Sequence, residues 1–323
     1  MSEKNSQTSK SQIRLFARIL VFTLVAFMLQ RTISQSYHEF QATNFSPRDL
    51  DFSKLALACS LYTIGLSCFA TVWHIALRVL SQNPTKTESI GSYFLSQLGK
   101  YVPGKALVVI IRSERVCSPR TTVPAAVACV FIETLAMMAV GAILAAFFVL
   151  ASDFRSSEPK LLAISLLLAV GAGVPSAPPV FRGVIRLLTR RRSTSNLREE
   201  VNNITTSKMI PCWFVATMGW LFLGGSMMAC LASLPDEIMS NPLYPADYGV
   251  ITASVALAMV AGFISLLPGG AGVREYVILT MLTINYGIVA STLAAVILRF
   301  VWLSTEVLLS AIFYILMKHP QPS

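Results

Sequence analysis

Three charged residues lie inside long apolar stretches of the sequence: Glu133, Arg299 and Glu306. An ionised side chain near the centre of a bilayer costs about 2.5–3.5 kcal/mol on insertion scales, so each needs an opposite charge or access to water. Arg299 and Glu306 lie on one helix face, about 10 Å apart along its axis. Glu133 has no charged neighbour in its own apolar run, so we predict that it pairs with Arg299. The alternative is that this pair only holds two helices together.

Two Pro-Gly sequences interrupt apolar segments and carry further charges. Residues 98–105 read Leu-Gly-Lys-Tyr-Val-Pro-Gly-Lys, and residues 265–275 read Ser-Leu-Leu-Pro-Gly-Gly-Ala-Gly-Val-Arg-Glu. Proline removes a backbone donor and glycine destabilises a helix, so neither sequence favours a continuous helix. Broken backbone is tolerated in a bilayer only where it is buried in protein or lines a wet cavity. The breaks predict two re-entrant helical hairpins; the alternative for the second is a tight cytoplasmic turn.

The charges and the breaks together define a candidate site for an anionic lipid headgroup. Basic side chains would suit the charge of the headgroup, and helix N-termini after Pro-Gly would add amide donors for phosphate. The candidate residues are Lys100, Pro103, Gly104, Lys105, Arg112, Arg115, Glu133, Pro268, Gly269, Gly270, Gly272, Arg274, Glu275, Arg299 and Glu306.

The composition is that of a polytopic integral membrane protein. Of 323 residues, 54% are hydrophobic and 13% are charged, whereas soluble domains carry about 25% charged residues. The net charge of +10 comes from Lys and Arg clustered between apolar segments, a distribution typical of membrane proteins rather than nucleic-acid-binding proteins. The sequence contains no catalytic, nucleotide-binding or metal-ligand motif. We therefore expect no cofactor, no metal and no enzyme activity.

The apolar runs predict an all-α fold with about seven transmembrane helices and the two broken hairpins. Residues 1–12 are predicted to form a disordered cytoplasmic tail, and residues 13–318 a single transmembrane domain. A signal peptide is the alternative for the first run, but no small-residue cleavage site follows it. The predicted spans are 15–29, 55–77, 123–150, 161–174, 210–231, 250–267 and 288–317, with a short apolar piece at 276–284.

The distribution of Lys and Arg predicts a cytoplasmic N-terminus in the cytoplasmic membrane. The loops at 78–122 and 181–209 each hold seven basic residues, whereas the loop at 235–248 holds none. On this topology both breaks enter from the cytoplasmic side. The segment 181–209 begins with apolar residues interleaved with Arg182, Arg186 and Arg190. This pattern predicts that residues 181–192 form an amphipathic helix on the anionic inner leaflet; an ordinary charged loop is the alternative.

The two breaks hold corresponding places in a weak internal repeat. Glu133 follows Pro103 by 30 residues, and Arg299 follows Pro268 by 31. Each half, at about 54–150 and 249–317, contains a broken hairpin and then a span with a charge. Interrupted segments at matching positions of two halves indicate the site of a transporter. With both breaks on the cytoplasmic side the repeat would be parallel; chance likeness between apolar segments is the alternative.

At these motifs the chain resembles the transmembrane, flippase-like domain of bacterial lysylphosphatidylglycerol synthases and their stand-alone relatives. The motifs are 98–105, Glu133, 267–275, and Arg299 with Glu306, and the resemblance covers about residues 50–317. It implies a membrane protein that moves a phospholipid or another anionic or aminoacylated lipid. The full synthases carry a soluble aminoacyl-transfer domain after the membrane part. Because this chain ends at Ser323, we do not expect it to make lysyl-lipid.

Three functions remain as hypotheses. The leading one is a flippase-like lipid transporter, which would be downhill or ion-coupled. The second is an accessory factor or enzyme in glycolipid or polyprenyl-linked glycan synthesis, with Glu133 or Glu275 as its carboxylate. The third is a structural partner of other membrane proteins. The expected partners are membrane lipids and a lipid-synthesis or glycosyltransferase protein.

Overall fold

The structure is a computed structural model that describes residues 45–101, 106–152, 159–188, 199–265, 270 and 272–318, with residues 30 and 34. The regular elements in these ranges are helical, which confirms the all-α prediction. The predicted tail at 1–12, the first predicted span at 15–29 and the arginine-rich residues 189–198 lie outside them. The α-helices are α1 (Phe52–Val79), α2 (Lys86–Ser96), α3 (Ala106–Val116), α4 (Val123–Ala151), α5 (Pro159–Ser176), α6 (Pro178–Leu188), α7 (Thr206–Leu231), α8 (Tyr248–Ile264) and α9 (Val273–Lys318).

The chain is a multi-pass membrane protein. Among the described residues, five helices are long and apolar enough to cross a membrane, namely α1, α4, α7, α8 and α9. The pair α5 and α6, bent by 61° at its junction, would make a sixth. Large apolar side chains that would be unfavourable in water stay exposed on these helices, including Phe147, Leu167 and Leu308.

Helix α9 turns back on itself at Gly287. In a straight helix, residues 275 and 299 would lie about 36 Å apart, yet a carboxylate oxygen of Glu275 lies 3.1 Å from a guanidinium nitrogen of Arg299. Gly287 has φ 80° and ψ 165°, a combination that essentially only glycine adopts. Helix α9 is therefore two antiparallel arms, α9a (residues 273–286) and α9b (residues 288–318). These arms correspond to the predicted apolar pieces at 276–284 and 288–317.

One end of the helix bundle, which we call the basic end, holds the end of α1, the start of α7, and the outer ends of α2 and α3. The side-chain amide of Asn203 donates to the hydroxyl of Ser81 at 3.1 Å. The backbone nitrogen of Asn83 donates to the carbonyl of Arg120 at 3.0 Å. The described basic residues around this end are Arg78, Lys86, Arg115, Arg120, Arg182, Arg186 and Lys208.

The opposite end, which we call the acidic end, holds the start of α1, the end of α7, and the turn of α9. The backbone nitrogen of Asp51 donates to the carbonyl of Ser233 at 3.0 Å, and that of Ser240 donates to the carbonyl of Tyr286 at 3.1 Å. The Tyr286 hydroxyl donates to the Asp247 carboxylate at 2.7 Å. The described carboxylates of its helix starts and loops include Asp51, Asp236, Glu237 and Asp247.

Helices α2 and α3 form the two arms of hairpin 1, which opens at the basic end. A capping box starts α2: the Thr85 hydroxyl accepts from the backbone nitrogen of Glu88 at 3.2 Å, and the Glu88 carboxylate accepts from the backbone nitrogen of Thr85 at 2.7 Å. The 3₁₀ turn Gln97–Tyr101 then ends the first arm. A Cβ on Gly99 would lie 3.0 Å from the backbone nitrogen of Val108, so this glycine lets the two arms approach closely.

Helices α8 and α9a form the two arms of hairpin 2, which opens at the acidic end. The two hairpins therefore enter the bundle from opposite ends, and the prediction that both enter from the cytoplasmic side is wrong. Helix α8 has 17 residues, or about 25 Å of helix, so its sequence is easily taken for a complete crossing. The structure shows instead that α9a returns the chain to the end from which α8 started.

The hairpins are held by helices that pack closely through small residues. A Cβ on Gly219 would lie 2.9 Å from the ring of Phe69 on α1, and a Cβ on Gly224 would lie 2.0 Å from the hydroxyl of Thr252 on α8. The Ser226 hydroxyl donates to a backbone carbonyl of α1 at 3.0 Å. The small residues of α7 thus bring α1 and hairpin 2 together.

Candidate functional site

Glu133 on α4 is paired with Arg112 on the second arm of hairpin 1. A guanidinium nitrogen lies 2.8 Å from the carboxylate, and the two side chains are 4% and 3% exposed. Arg112 also donates to the Ser96 hydroxyl at 3.0 Å. Its guanidinium carbon lies 4.3 Å from the ring centre of Tyr93 and 5.3 Å from that of Trp73. The buried charges therefore compensate each other within hairpin 1 and its neighbours.

Arg299 on α9b is paired with Glu275 at the start of the second arm of hairpin 2. Their charged atoms lie 3.1 Å apart, and the side chains are 12% and 17% exposed. The other carboxylate oxygen of Glu275 accepts from the backbone nitrogen of Gly272 at 2.7 Å, which satisfies a free donor at the helix start. The predicted pair between Glu133 and Arg299 is therefore wrong. Each charge finds its counter-ion on the second arm of the hairpin that precedes it in the chain.

Glu306 on α9b joins the tip of hairpin 1 to the last helix. The carboxylate accepts hydrogen bonds from the ammonium of Lys100 and the hydroxyl of Tyr62, and from the Tyr101 hydroxyl at 3.1 Å. The side chain of Glu306 is fully buried, whereas that of Lys100 remains 18% exposed. One carboxylate thus ties together α1, hairpin 1 and α9b.

Arg274 brings the tip of hairpin 2 to the same part of α9b. Its guanidinium carbon lies 4.9 Å from the ring centre of Trp302, and Trp302 stacks on Tyr62 with ring centres 4.7 Å apart. A Cβ on Gly262 would lie 2.5 Å from the Arg274 side chain, and one on Gly270 would lie 2.6 Å from it. Both glycines therefore leave room for the apolar stem of this arginine.

The tip cluster, as we name it, is the set of side chains where both hairpins meet α9b. Arg299, Trp302 and Glu306 are spaced by three and four residues and so lie on one helix face. The other members come from hairpin 1, hairpin 2 and α1. The full set is Tyr62, Lys100, Tyr101, Arg274, Glu275, Arg299, Trp302 and Glu306.

The structure brings together some of the predicted site residues and separates others. Arg112 and Glu133 form their own pair, and Arg115 is exposed near the basic end of α3. Lys100, Gly270, Arg274, Glu275, Arg299 and Glu306 lie in or beside the tip cluster, with Gly272 donating to Glu275. Pro103, Gly104, Lys105, Pro268 and Gly269 lie outside the described residues, so their place in the headgroup site stays a prediction.

Three aromatic residues of the site were missed from the sequence: Tyr62, Tyr101 and Trp302. Tyr101 is inside the first Pro-Gly motif, and Trp302 falls between Arg299 and Glu306 on the same helix face. Those positions could have identified Tyr101 and Trp302 as site residues. The sequence offered no such indication for Tyr62, because a single tyrosine in an apolar span is ordinary.

One family model matches almost the whole chain. It is described as the lysylphosphatidylglycerol synthase transmembrane region, and it matches residues 15–310. The chain belongs to this family. The match includes both hairpins, the three ion pairs and every member of the tip cluster. It confirms the resemblance inferred from the two Pro-Gly motifs and relates this membrane protein to lipids. Comparison with the curated proteins found no match.

Proposed function

We propose that this member of the lysylphosphatidylglycerol synthase transmembrane region family moves a lipid with an anionic or aminoacylated headgroup between the leaflets of the cytoplasmic membrane. One observation carries the proposal: two hairpins that open at opposite ends have their tips beside the same face of α9b. A headgroup cannot cross hydrocarbon cheaply, so its path needs polar groups at the depth where helices are broken. The tip cluster supplies them.

The two hairpins belong to an inverted repeat in this proposal. The first unit is α1, hairpin 1 and α4, and the second is α7, hairpin 2 and α9b. In each unit an ion pair ties the second arm of the hairpin to the helix that follows, with Arg112 to Glu133 in one and Glu275 to Arg299 in the other. The second unit therefore begins at α7, earlier than the half at 249–317 expected from sequence. Inverted units suit alternating access, because each hairpin can control one face of the membrane.

The basic end faces the cytoplasm in this proposal, because Lys and Arg concentrate on that side of membrane proteins. Helix α6 lies at this end. Its Phe181 packs into the protein, whereas Val184 and Leu187 are exposed. Arg182 and Arg186 lie on a further face of the helix. Such a helix suits the boundary between lipid and water, with its arginines near anionic headgroups.

The geometry favours transport over a role in glycan synthesis. Glu133 and Glu275, the carboxylates considered for an enzyme or accessory factor, are each held by an arginine. These two ion pairs, and the contact of Lys100 with Glu306, join the two hairpins to their neighbouring helices. That arrangement suits a path whose two sides open in turn.

Reconstitution tests the proposal. The purified protein is placed in liposomes that contain fluorescently labelled phosphatidylglycerol in both leaflets, and an impermeant reductant is added outside. We expect the protein to expose inner-leaflet label that stays protected in protein-free liposomes. Glu114→Gln, a charge change on an exposed residue of hairpin 1, is the matched control and should transport normally. The same assay is run with labelled aminoacylated lipid. The proposal would be refuted if, for both lipids, the fraction of label protected from the reductant equalled that of protein-free liposomes.

A further inference from the structure

Glu306 has the surroundings of a bound anion. It is a carboxylate with no exposed side-chain area, and its hydrogen-bond donors converge from two separate elements. Tyr62 comes from α1, while Lys100 and Tyr101 come from the tip of hairpin 1. One ammonium and two phenol hydroxyls around a carboxylate form a donor set that suits a phosphate oxygen equally well, since charged acceptors make the stronger hydrogen bonds.

The charges around Glu306 also favour an anion at this position. Lys100, Arg274 and Arg299 are the described cations of the tip cluster, and Glu275 and Glu306 are its anions. Glu275 is already held by Arg299 and by a helix start. The described charges of the tip cluster therefore sum to +1 with Glu306 in place, and they would sum to +2 if its carboxylate left its donors, at a depth where charge is costly. An incoming anion would lower that excess.

We propose that Lys100, Tyr101 and Tyr62 form a binding site for the phosphodiester of a lipid headgroup, and that Glu306 occupies this site as an internal substitute when no lipid is bound. The inference rests on the proposed lipid-moving function and names the chemistry that its site recognises. Glu306 is then a competitor of the substrate. If Glu306 had a purely structural role, the binding site would need its carboxylate to keep its shape, and removing the carboxylate would weaken lipid binding.

The exposure of the two partners indicates the order of events. Lys100 keeps 18% of its side-chain surface accessible while Glu306 has none. An arriving phosphate therefore meets the ammonium first and displaces the carboxylate afterwards. Because the same carboxylate holds α1, hairpin 1 and α9b together, its displacement would free the tip of hairpin 1. Binding would thus loosen one hairpin at the moment when the headgroup arrives.

Equilibrium binding to the purified full chain in detergent tests the proposal without any transport step. The probe is short-chain phosphatidylglycerol, with short-chain phosphatidylcholine compared as a zwitterionic lipid. Glu306→Gln should bind phosphatidylglycerol at least about tenfold more tightly than the unaltered protein, because the internal competitor has lost its charge. Lys100→Gln introduced into the Glu306→Gln variant should remove that gain. Glu114→Gln, which changes an exposed carboxylate on hairpin 1, should bind as the unaltered protein does.

A second variant protects the test against loss of folding. Glu306→Asp keeps the charge but shortens the side chain, so it should weaken the hold on Lys100 and tighten lipid binding by a smaller factor. Binding is compared for each Glu306 variant that elutes as a monodisperse protein. The proposal would be overturned if such a variant bound phosphatidylglycerol no more tightly than the unaltered protein. Inorganic phosphate is added as a competitor. If inorganic phosphate fails to displace the lipid, the result supports a lipid headgroup site. If it binds as tightly as phosphatidylglycerol does, the proposal that the phosphate belongs to a lipid is overturned.

The transport and binding results separate the two proposals. If liposome transport is absent but Glu306→Gln gains affinity, the site stands and the transport function fails. If transport occurs and neither Glu306 variant gains affinity, the function stands and the internal substitute is refuted.

Discussion

The buried pair of Arg112 and Glu133 gives a prediction whose size follows from the contacts. Removing one partner of a buried ion pair costs about 3–5 kcal/mol in soluble proteins. Glu133→Gln leaves Arg112 with the Ser96 hydroxyl and two aromatic rings, and each ring contact is worth about 0.5–2 kcal/mol. We therefore expect Glu133→Gln to lower the free energy of unfolding by about 2–3 kcal/mol.

Arg112→Gln should be more harmful than Glu133→Gln. Of its hydrogen bonds to described side chains, the stranded carboxylate would keep the one from the hydroxyl of Thr134, at 3.4 Å, so we expect a loss of about 3–5 kcal/mol. The double variant removes both charges and should be less damaging than the sum of the two single changes. The coupling should reach about 1–2 kcal/mol, near the upper end measured between membrane helices.

Equilibrium unfolding in mixed micelles of mild and denaturing detergent measures these differences. Glu114→Gln, on the exposed face of α3, is the matched control and should stay within about 0.5 kcal/mol of the unaltered protein. A second cycle with Glu133→Gln and Arg299→Gln should be additive within about 0.5 kcal/mol, because these residues share no partner among the described contacts. The pairing of Arg112 with Glu133 would be refuted if the Glu133–Arg299 cycle showed coupling and the Arg112–Glu133 cycle showed none.

Three glycine substitutions test the shape of the hairpins. Gly262→Ala should displace the stem of Arg274, which would lie 2.5 Å from the new Cβ, and should slow lipid transport in liposomes; an unchanged rate would refute a role for that arginine. Gly287→Ala should lower the free energy of unfolding by about 1–3 kcal/mol, since φ 80° and ψ 165° are strained for alanine; detergent unfolding measures this, and no loss would contradict the turn. Gly99→Ala should cost about 1–3 kcal/mol in the same assay, because its Cβ would lie 3.0 Å from the backbone of Val108; a neutral result would contradict the close approach.

The long spans were predictable from sequence because length and hydrophobicity decide them. The predicted segments 55–77, 123–150, 161–174 and 210–231 each lie inside a helix of the structure. The direction of hairpin 2 was not predictable in the same way. Helix α8 is long enough to be taken for a crossing, and only the return of α9a to the acidic end shows that it is one arm of a hairpin.

The charged residues of the site were visible in sequence, but their partners were not. A charge in an apolar run signals that a partner exists without saying which one. The prediction paired Glu133 with Arg299, the opposite charge in another apolar run, whereas its partner Arg112 lies on the second arm of hairpin 1, among the basic residues assigned to the headgroup. The structure reveals a local rule that sequence could have supplied: Arg112 precedes Glu133 by 21 residues, and Glu275 precedes Arg299 by 24.

The opposite entry of the two hairpins is the central claim, and site-directed labelling in membrane vesicles tests it most directly. The native Cys117 is exposed just after hairpin 1, and Cys117→Ser serves as its control. Asn285→Cys in the Cys117→Ser background places a thiol at the turn that follows hairpin 2. An impermeant maleimide should label the two positions from opposite faces of the membrane. Labelling of both from the same face would contradict the account.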